Sequence, residues 1–291
     1  MQAAQAPSVI GLIAGQGQLP ILCAKGMRAA GRRVACIGLR DQFVPELPAL
    51  CDDFAQAGIL QLGRWIRLAK KMGVTDCVMV GRVEKARMHD PFRAFRQLPD
   101  WRAAMLWYRR LRHDHRSATL LTAVAEELLS GGVRLIDSTA FIPDHMATTG
   151  VMGSVRPSAL QEGDIAFAWP LLEGSLRLDI GQSIAVRDRD VIAVEAVEGT
   201  NAMIDRAGSL CRAKGWTLLK SCRADHDMRA DVPTIGVHTI EHMAKNGGGC
   251  IAIGSGRVIL IDKPAVLAAA NRLGVALVGV EPSERSPGPA S

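Results

Sequence analysis

Short apolar runs alternate with stretches of helical spacing along about the first 140 residues of the chain. The predicted strands and helices occupy residues 8–15, 19–31, Arg33–Leu39, 62–73, 76–81, 118–129 and 133–137. A helix between two successive strands returns the chain to the same edge of a sheet, so the strands run parallel. The alternation predicts a doubly wound, Rossmann-like domain over residues 1–140.

The pattern is more mixed past residue 157. Predicted strands lie at 183–186, 191–197, 216–222, 250–254, 258–262 and 275–280, with helices at 200–214, 240–245 and 264–273. We therefore expect an α/β protein of two domains, the second a C-terminal mixed α/β domain over residues 158–281. The Thr-, Gly-, Met- and Pro-rich residues 141–157 are predicted to link the domains, and the Pro-, Ser- and Gly-rich residues 282–291 to form a disordered tail.

Composition excludes several classes of protein. No apolar run approaches the ~20 residues that span a bilayer, and residues 1–7 carry no basic segment typical of a signal peptide. The seven cysteines are odd in number and lack CxxC spacing, which predicts reduced thiols in a cytoplasm.

Positive charge is concentrated in one segment, residues 82–116. It holds ten Lys/Arg against four Asp/Glu and five of the twelve aromatic residues. Basic and aromatic residues in this mixture suit nucleic acid, or an anionic membrane surface with an amphiphilic substrate. A solvated amphipathic helix explains the same composition equally well.

The first candidate site is the glycine motif at residues 15–20, at a predicted strand-to-helix turn. Glycines let the backbone approach a phosphate, and a helix N-terminus offers free N–H groups. Pro20 replaces the third glycine of a dinucleotide fingerprint, so a nucleotide or sugar phosphate is favoured over a nicotinamide cofactor. A tight turn without a ligand is the alternative.

The second candidate site places Glu195 and Glu198 before a glycine turn and a helix that begins at Thr200. Strand alternation predicts that Glu195 and Val197 point to one face. An acidic strand end beside a helix N-terminus suits Mg²⁺ together with a phosphate. The alternative is a capped helix with solvated glutamates, which Glu195 fits poorly because it lies in an apolar run.

The third candidate site is a charged loop at a strand end, where open α/β sheets bind ligands. Its charged residues are Lys220, Arg223, Asp225, His226, Asp227, Arg229 and Asp231. Carboxylates suit hard cations and basic side chains suit phosphates, so the loop offers both. A solvated, salt-bridged loop is the alternative.

Taken together, the motifs resemble the metal-dependent UDP-2,3-diacylglucosamine diphosphatases (pyrophosphatases) of lipid A biosynthesis, the type unrelated to calcineurin-like phosphoesterases. The matching stretches are residues 11–20, 80–83, 148–150, 179–182, 194–200 and 227–236. The resemblance implies a Rossmann-like N-terminal domain and a C-terminal α/β domain with the lipid between them. It also implies Mg²⁺-dependent hydrolysis to UMP and 2,3-diacylglucosamine 1-phosphate (lipid X).

The resemblance and the needs of diphosphate hydrolysis suggest roles for the candidate residues. The catalytic candidates are Asp225, Asp227, Glu195 and Glu198, and the ligands for Mg²⁺ (or Mn²⁺) are Asp225, Asp227 and Asp231. Lys220 and Arg229 are expected to clamp the diphosphate. The other substrate-binding candidates are Ala14, Gly15, Gln16, Gly17, Arg82, Thr148, Thr149, Gly150, Gly199 and Thr200.

These expectations describe a cytoplasmic hydrolase at the inner face of the cytoplasmic membrane. Its partner is a UDP-linked diacylated glucosamine lipid, with transient membrane contact and no nucleic acid; a homo-oligomer is left open. The rival interpretations are a non-catalytic nucleotide-sugar binding module and an NAD-dependent oxidoreductase. A nucleic-acid binder would depend on residues 82–116 alone.

Overall fold

A computed structural model describes residues 8–83, 99–112 and 117–281. Much of the predicted basic segment and the predicted tail at 282–291 lie outside the described residues. The chain forms two compact units, and the division falls between Ile142 and Pro143. The five residues Asp227–Asp231 group with the first unit, although they lie far along the chain.

The first unit contains a parallel sheet of five strands in the order β3-β2-β1-β4-β5. The strands are β1 Val9–Ala14, β2 Arg33–Leu39, β3 Asp53–Ala57, β4 Asp76–Val80 and β5 Arg134–Leu135. This is the strand order of a Rossmann-like fold, so the predicted architecture is confirmed. Sequence analysis missed β3, because this half-buried edge strand contains polar residues and so lacks a continuous apolar run.

Helices pack on this sheet through apolar faces of helical period. They are α1 Leu19–Ala29, α2 Leu62–Lys71, α3 Trp101–Leu106 with the π-helical turn Trp107–Leu111, and α4 Ser117–Ser130. In α2, Leu62, Trp65, Ile66 and Ala69 are buried, at spacings that place them on one face. Burying each larger side chain contributes about 1.5–3 kcal/mol.

The second unit is built on a mixed sheet of six strands in the order β6-β13-β11-β9-β7-β8, beside a two-stranded pair, β10-β12. The strands are β6 Gly150–Val151, β7 Ser183–Arg187, β8 Asp190–Val194, β9 Trp216–Lys220, β10 Thr234–Ile235, β11 Gly248–Gly254, β12 Ile259–Leu260 and β13 Ala276–Val280. Strands β9, β11 and β13 are parallel, whereas β7 runs antiparallel to β9. The predicted mixed α/β second unit is confirmed.

Helices cover both faces of the mixed sheet. They are α5 Ala159–Arg177, α6 Thr200–Leu210, α7 Val237–Lys245 and α8 Lys263–Leu273. In β7, Ile184 and Val186 pack with Leu172 of α5, whereas Ala185 between them packs with Met203 of α6. Successive strand residues point to opposite faces, so α5 and α6 lie on opposite sides of the sheet.

Candidate active site

The glycine motif lies at the switch point of the first sheet, where β1 and β4 are neighbours and connect in opposite directions. The backbone N–H of Gln16 donates to the carbonyl of Arg82, and the N–H of Arg82 donates to the carbonyl of Gln16, each at 2.9 Å. Gly15 donates to the carbonyl of Val80 at 2.9 Å. The structure therefore brings together Ala14, Gly15, Gln16 and Arg82, four of the residues that the sequence analysis names as substrate-binding candidates.

Gly15 and Gly17 are glycines for different reasons. A Cβ on Gly15 would lie 2.6 Å from the carbonyl oxygen of Arg82, so close packing of the two loops requires glycine there. Gly17 has φ +96°, and no atom lies within 4 Å of where its Cβ would be. The contact with Arg82 explains why residue 15 is glycine. At Gly17 the space where a Cβ would lie is open, just before α1 begins.

The second unit contains a buried ammonium group at the carboxyl end of β9. Lys220 is only 4% exposed, and its Nζ donates to Thr200 Oγ1 at 2.8 Å and to Ser183 Oγ at 3.2 Å. Glu195 Oε2 lies 3.6 Å from the same Nζ. A buried charge without partners costs several kcal/mol, so this carboxylate and these hydroxyls are what allow Lys220 to sit here. We call these four residues the Lys220 cluster.

Glu195 is the anionic member of the cluster. Its Oε1 accepts a hydrogen bond from the Thr200 hydroxyl at 2.9 Å, whereas Oε2 is buried and has no hydrogen-bond partner among the described residues. The prediction that Glu195 and Val197 share one face is wrong, because Glu195 is 8% exposed and Val197 is fully exposed. Strand β8 ends at Val194, so alternation does not continue through the turn.

Glu198 is placed differently from Glu195. Its carboxylate is exposed, accepts from the backbone N–H of Ala196 at 3.1 Å and pairs with Arg206 at 2.6 Å. Hydrogen bonding to its own backbone amide, and then to Arg206, lowers the pKa of Glu198. These contacts hold the turn before α6, whose N-terminal cap is Gly199 with φ +82°.

Two arginine–aspartate pairs occupy the charged loop after β9. Arg223 holds Asp225 through two hydrogen bonds of 2.9 and 2.7 Å, and Arg229 holds Asp227, with its shortest contact at 2.6 Å. Hydrogen bonding to the carboxylates raises the pKa of both arginines. All four side chains are roughly half exposed, and such pairs contribute at most about 1 kcal/mol, so a ligand displaces them at little cost.

The predicted metal ligands are not arranged around a common point where an ion could bind. In the described parts of the chain, no three His, Cys, Asp or Glu side chains are placed to hold one ion. The chemistry of Asp225, Asp227 and Asp231 suits Mg²⁺ or Mn²⁺, because all three offer carboxylate oxygens. Their arrangement does not suit a metal ion, because the carboxylates of Asp225 and Asp227 are already paired with Arg223 and Arg229.

The predicted residues 148–150 lie at the carboxyl ends of β11 and β13. Thr149 Oγ1 is 3.0 Å from Ser255 Oγ and 3.4 Å from a carboxylate oxygen of Glu281. Gly150 begins β6 and pairs with Gly279, and a Cβ on Gly279 would lie 1.8 Å from the carbonyl oxygen of Thr148. Parallel strands end at the same edge, so these hydroxyls and Lys220 share one edge of the sheet.

Sequence reasoning missed Ser183 and Ser255 as members of this edge. Ser183 begins β7 directly opposite Lys220 in the antiparallel register, and Ser255 follows the end of β11. The available signal was a hydroxyl residue at a strand terminus, next to the already noted residues 179–182. Only the strand pairing distinguishes such a serine from many others.

Comparison with known proteins covers both units. Residues 9–145 match the model of the LpxI N-terminal domain, and residues 148–278 match the model of the LpxI C-terminal domain. The chain belongs to the LpxI family. It is also 33% identical over 287 residues to the UDP-2,3-diacylglucosamine pyrophosphatase LpxI of Caulobacter vibrioides, covering 95% of this chain and 99% of that protein. The LpxI match spans both the glycine motif and the Lys220 cluster.

Proposed function

We propose that this chain hydrolyses the diphosphate of UDP-2,3-diacylglucosamine, releasing UMP and 2,3-diacylglucosamine 1-phosphate (lipid X) in lipid A biosynthesis. The near full-length similarity to a pyrophosphatase of that name supports the substrate. The observation that carries the proposal is the Lys220 cluster, because it keeps a cation at the sheet edge where α/β proteins bind ligands.

The cluster suits a phosphate for electrostatic reasons. Thr200 is the first residue of α6, and the cap residue Gly199 has no side chain to occupy the helix N–H groups. A helix N-terminus and a nearby ammonium both favour an anion. We assign Lys220, Gly199 and Thr200 to the diphosphate, with Glu195 positioning Lys220.

Hydrolysis requires a water molecule to attack one phosphorus, lose a proton and displace the other phosphate. We assign Asp225 and Asp227 to orienting that water and accepting its proton. Arg223 and Arg229 pair with these carboxylates. A substrate diphosphate offers Arg229 a competing anion, and exchange of partners would release Asp227 for the water.

We also propose that the reaction uses Mg²⁺ or Mn²⁺, held by Asp225, Asp227 and Asp231. A divalent cation would neutralise phosphate oxygens as negative charge develops on them. The donor chemistry supports this assignment, and displacement of Arg223 and Arg229 is the rearrangement it requires.

We further propose that the protein works in the cytoplasm and visits the inner face of the cytoplasmic membrane. None of the helices within the described residues has the length and apolar character needed to cross a bilayer. Trp101, Trp107 and Tyr108 are exposed side chains of the predicted basic segment. Arg112 lies 4.8 Å from the Tyr108 ring centre, and such a mixture suits a lipid surface.

The deciding experiment measures product formation. The purified chain is incubated with UDP-2,3-diacylglucosamine, with and without Mg²⁺, and UMP and lipid X are quantified. We expect both products in equal amounts. Substrate binding without UMP release would make the chain a nucleotide-sugar binding module, and absence of binding would reject the proposal.

A further inference from the structure

One serine of the first unit holds a segment that lies far along the chain. Ser138 is 3% exposed, and its backbone N–H and its hydroxyl both donate to the carbonyl oxygen of Met228, at 2.9 and 2.8 Å. The two residues are 90 positions apart in sequence. Met228 belongs to Asp227–Asp231, the five residues that group with the first unit. We call these five residues the anchored segment.

Ser138 lies just past strand β5, at the edge of the first sheet where open α/β folds bind ligands. The backbone N–H of Ile136 donates to the carbonyl of Cys77 at 2.9 Å, which continues the pairing of β5 with β4 beyond Leu135. Parallel strands end at the same edge of a sheet, and Gly15 follows the end of β1, the other neighbour of β4. Ser138 therefore attaches the anchored segment to the edge that carries the glycine motif.

The position of Ser138 is itself fixed by contacts on either side. The thiol of Cys23, in α1, donates to the carbonyl of Ser138 at 3.8 Å. The N–H and the hydroxyl of Thr139 both donate to Asp137 Oδ1, each at 2.7 Å. A backbone that is already ordered loses little conformational entropy when it holds another group. Ser138 is therefore a rigid point of attachment for Met228.

The attached carbonyl lies between two side chains with proposed roles in hydrolysis. Asp227 and Arg229 flank Met228, and their side chains pair with each other, with the shortest contact at 2.6 Å. This pair is roughly half exposed, so its own contacts do not fix it in space. The contact of Met228 with Ser138 does, and Ala230, only 6% exposed, is buried directly after Arg229.

A hydrogen bond within one unit often serves stability alone. Here two donors of one buried residue converge on the single carbonyl between Asp227 and Arg229. We propose that Ser138 is a positioning residue of the hydrolytic site, which holds Asp227 and Arg229 in place through the Met228 carbonyl. This role rests on the proposed function, because it requires those two side chains to act on the diphosphate and on the attacking water.

The first measurement removes only the hydroxyl of the anchor. Ser138→Ala keeps the backbone N–H bond to Met228 and should lower kcat for UMP release about tenfold, because a small displacement of reacting groups is costly. Ser209→Ala is the matched control, since the Ser209 hydroxyl also donates to a backbone carbonyl at 2.8 Å, that of Arg206, only three residues away. It should keep wild-type activity.

A double-mutant cycle separates positioning from stability. All variants are assayed at a temperature where circular dichroism shows them folded. In the Asp227→Ala background the positioned carboxylate is missing, so adding Ser138→Ala should change kcat by no more than about twofold. A role in stability alone would give the same effect in both backgrounds.

Hydrogen exchange reports on the anchor independently of activity. The amides of residues 227–231 should exchange faster in Ser138→Ala than in the wild type, whereas those of β1 and β4 should not change. Wild-type kcat in Ser138→Ala, unchanged exchange of the anchored segment, or a tenfold loss in both backgrounds overturns the positioning role and leaves the proposed function intact. A wild type that releases no UMP rejects the proposed function, and this role with it.

Discussion

Two ion pairs in the second unit have basic members only three residues apart in sequence, Lys220 and Arg223, and differ in their physical setting. The pair of Lys220 with Glu195 is buried and shares its ammonium with two hydroxyls. The pair of Arg223 with Asp225 is roughly half exposed and has ideal two-point geometry. Burial fixes the first pair in place, because separating it leaves a charge without water. Solvent keeps the second pair exchangeable.

This difference suggests a division of labour at the site. A phosphate-binding cation is most useful when it is already in position, since no reorganisation is then required during the reaction. A carboxylate that handles water, or binds a cation, must be able to change partners. The predictions below test whether burial separates binding groups from reacting groups in this way.

The largest expected effect comes from Lys220→Met, which leaves the Glu195 carboxylate buried without its cation. We expect no measurable UMP release and a loss of about 3–5 kcal/mol in the free energy of unfolding, measured with urea. The matched control Arg223→Met should lose no more than about 1 kcal/mol.

Combining Lys220→Met with Glu195→Gln separates stability from activity. Removing both charges should recover most of the unfolding free energy while UMP release stays absent. If Lys220→Met alone unfolds at the wild-type urea concentration, the buried pair does not stabilise the protein and the comparison fails.

Metal removal should abolish activity without changing stability. We expect exhaustive chelation with EDTA to stop UMP release, and added Mg²⁺ or Mn²⁺ to restore it, because the candidate ligands are carboxylates. The urea midpoint should stay constant, since Asp225 and Asp227 are exposed and each pairs with an arginine, Arg223 or Arg229. Full activity after chelation would remove the metal from the proposal.

Asp225→Ala should lower the rate of UMP release about 100-fold, the usual contribution of a general acid–base group. The unfolding free energy should change by less than about 1 kcal/mol, because the carboxylate is exposed. Glu241→Ala is the matched control, since Glu241 is also an exposed partner of an arginine, Arg272. A variant that keeps more than about a tenth of the activity excludes Asp225 from the mechanism.

The sequence predicted the elements that are buried in the interior of a sheet. Strands β1, β2 and β4 appear within two residues of their predicted bounds, because a central parallel strand is a continuous apolar run. Helix α5 was missed, since Gly163, Gly174 and Pro170 interrupt it and its apolar residues face both ways. A capping box at Ser158 and Gln161 was the available local signal.

For the candidate site, the sequence allowed residues to be chosen by type but did not predict their environment. Lys220 and Glu195 were chosen from charge and position, yet their burial depends on the register that places Ser183 opposite Lys220. The pairing of Arg223 with Asp225 was also left open, because a charged loop and a salt-bridged loop have the same composition. Long-range strand pairing decides such questions, and local sequence does not contain it.

The smallest expected effect concerns membrane contact, where the charges are exposed and screened. Changing Arg109, Arg110 and Arg112 to Ala should weaken sedimentation with anionic vesicles, by about 1 kcal/mol for each well-placed residue, and have no effect with neutral vesicles. Arg110 pairs with Glu126, and Arg112 stacks on Tyr108, so part of this attraction is already used within the protein. The measured loss should therefore fall below the sum of three full contributions.

The matched control changes three exposed basic residues of α2, Arg67, Lys70 and Lys71, to Ala. It removes the same charge from a helix without exposed tryptophan. Equal losses of vesicle binding in both variants would therefore show that only the net charge matters. A specific loss in the first variant that fades as salt rises would identify the described part of residues 82–116 as the contact surface. Equal partitioning of wild type and both variants at every salt concentration would show that the segment is a solvated helix face. The substrate would then have to reach the Lys220 cluster without help from these arginines.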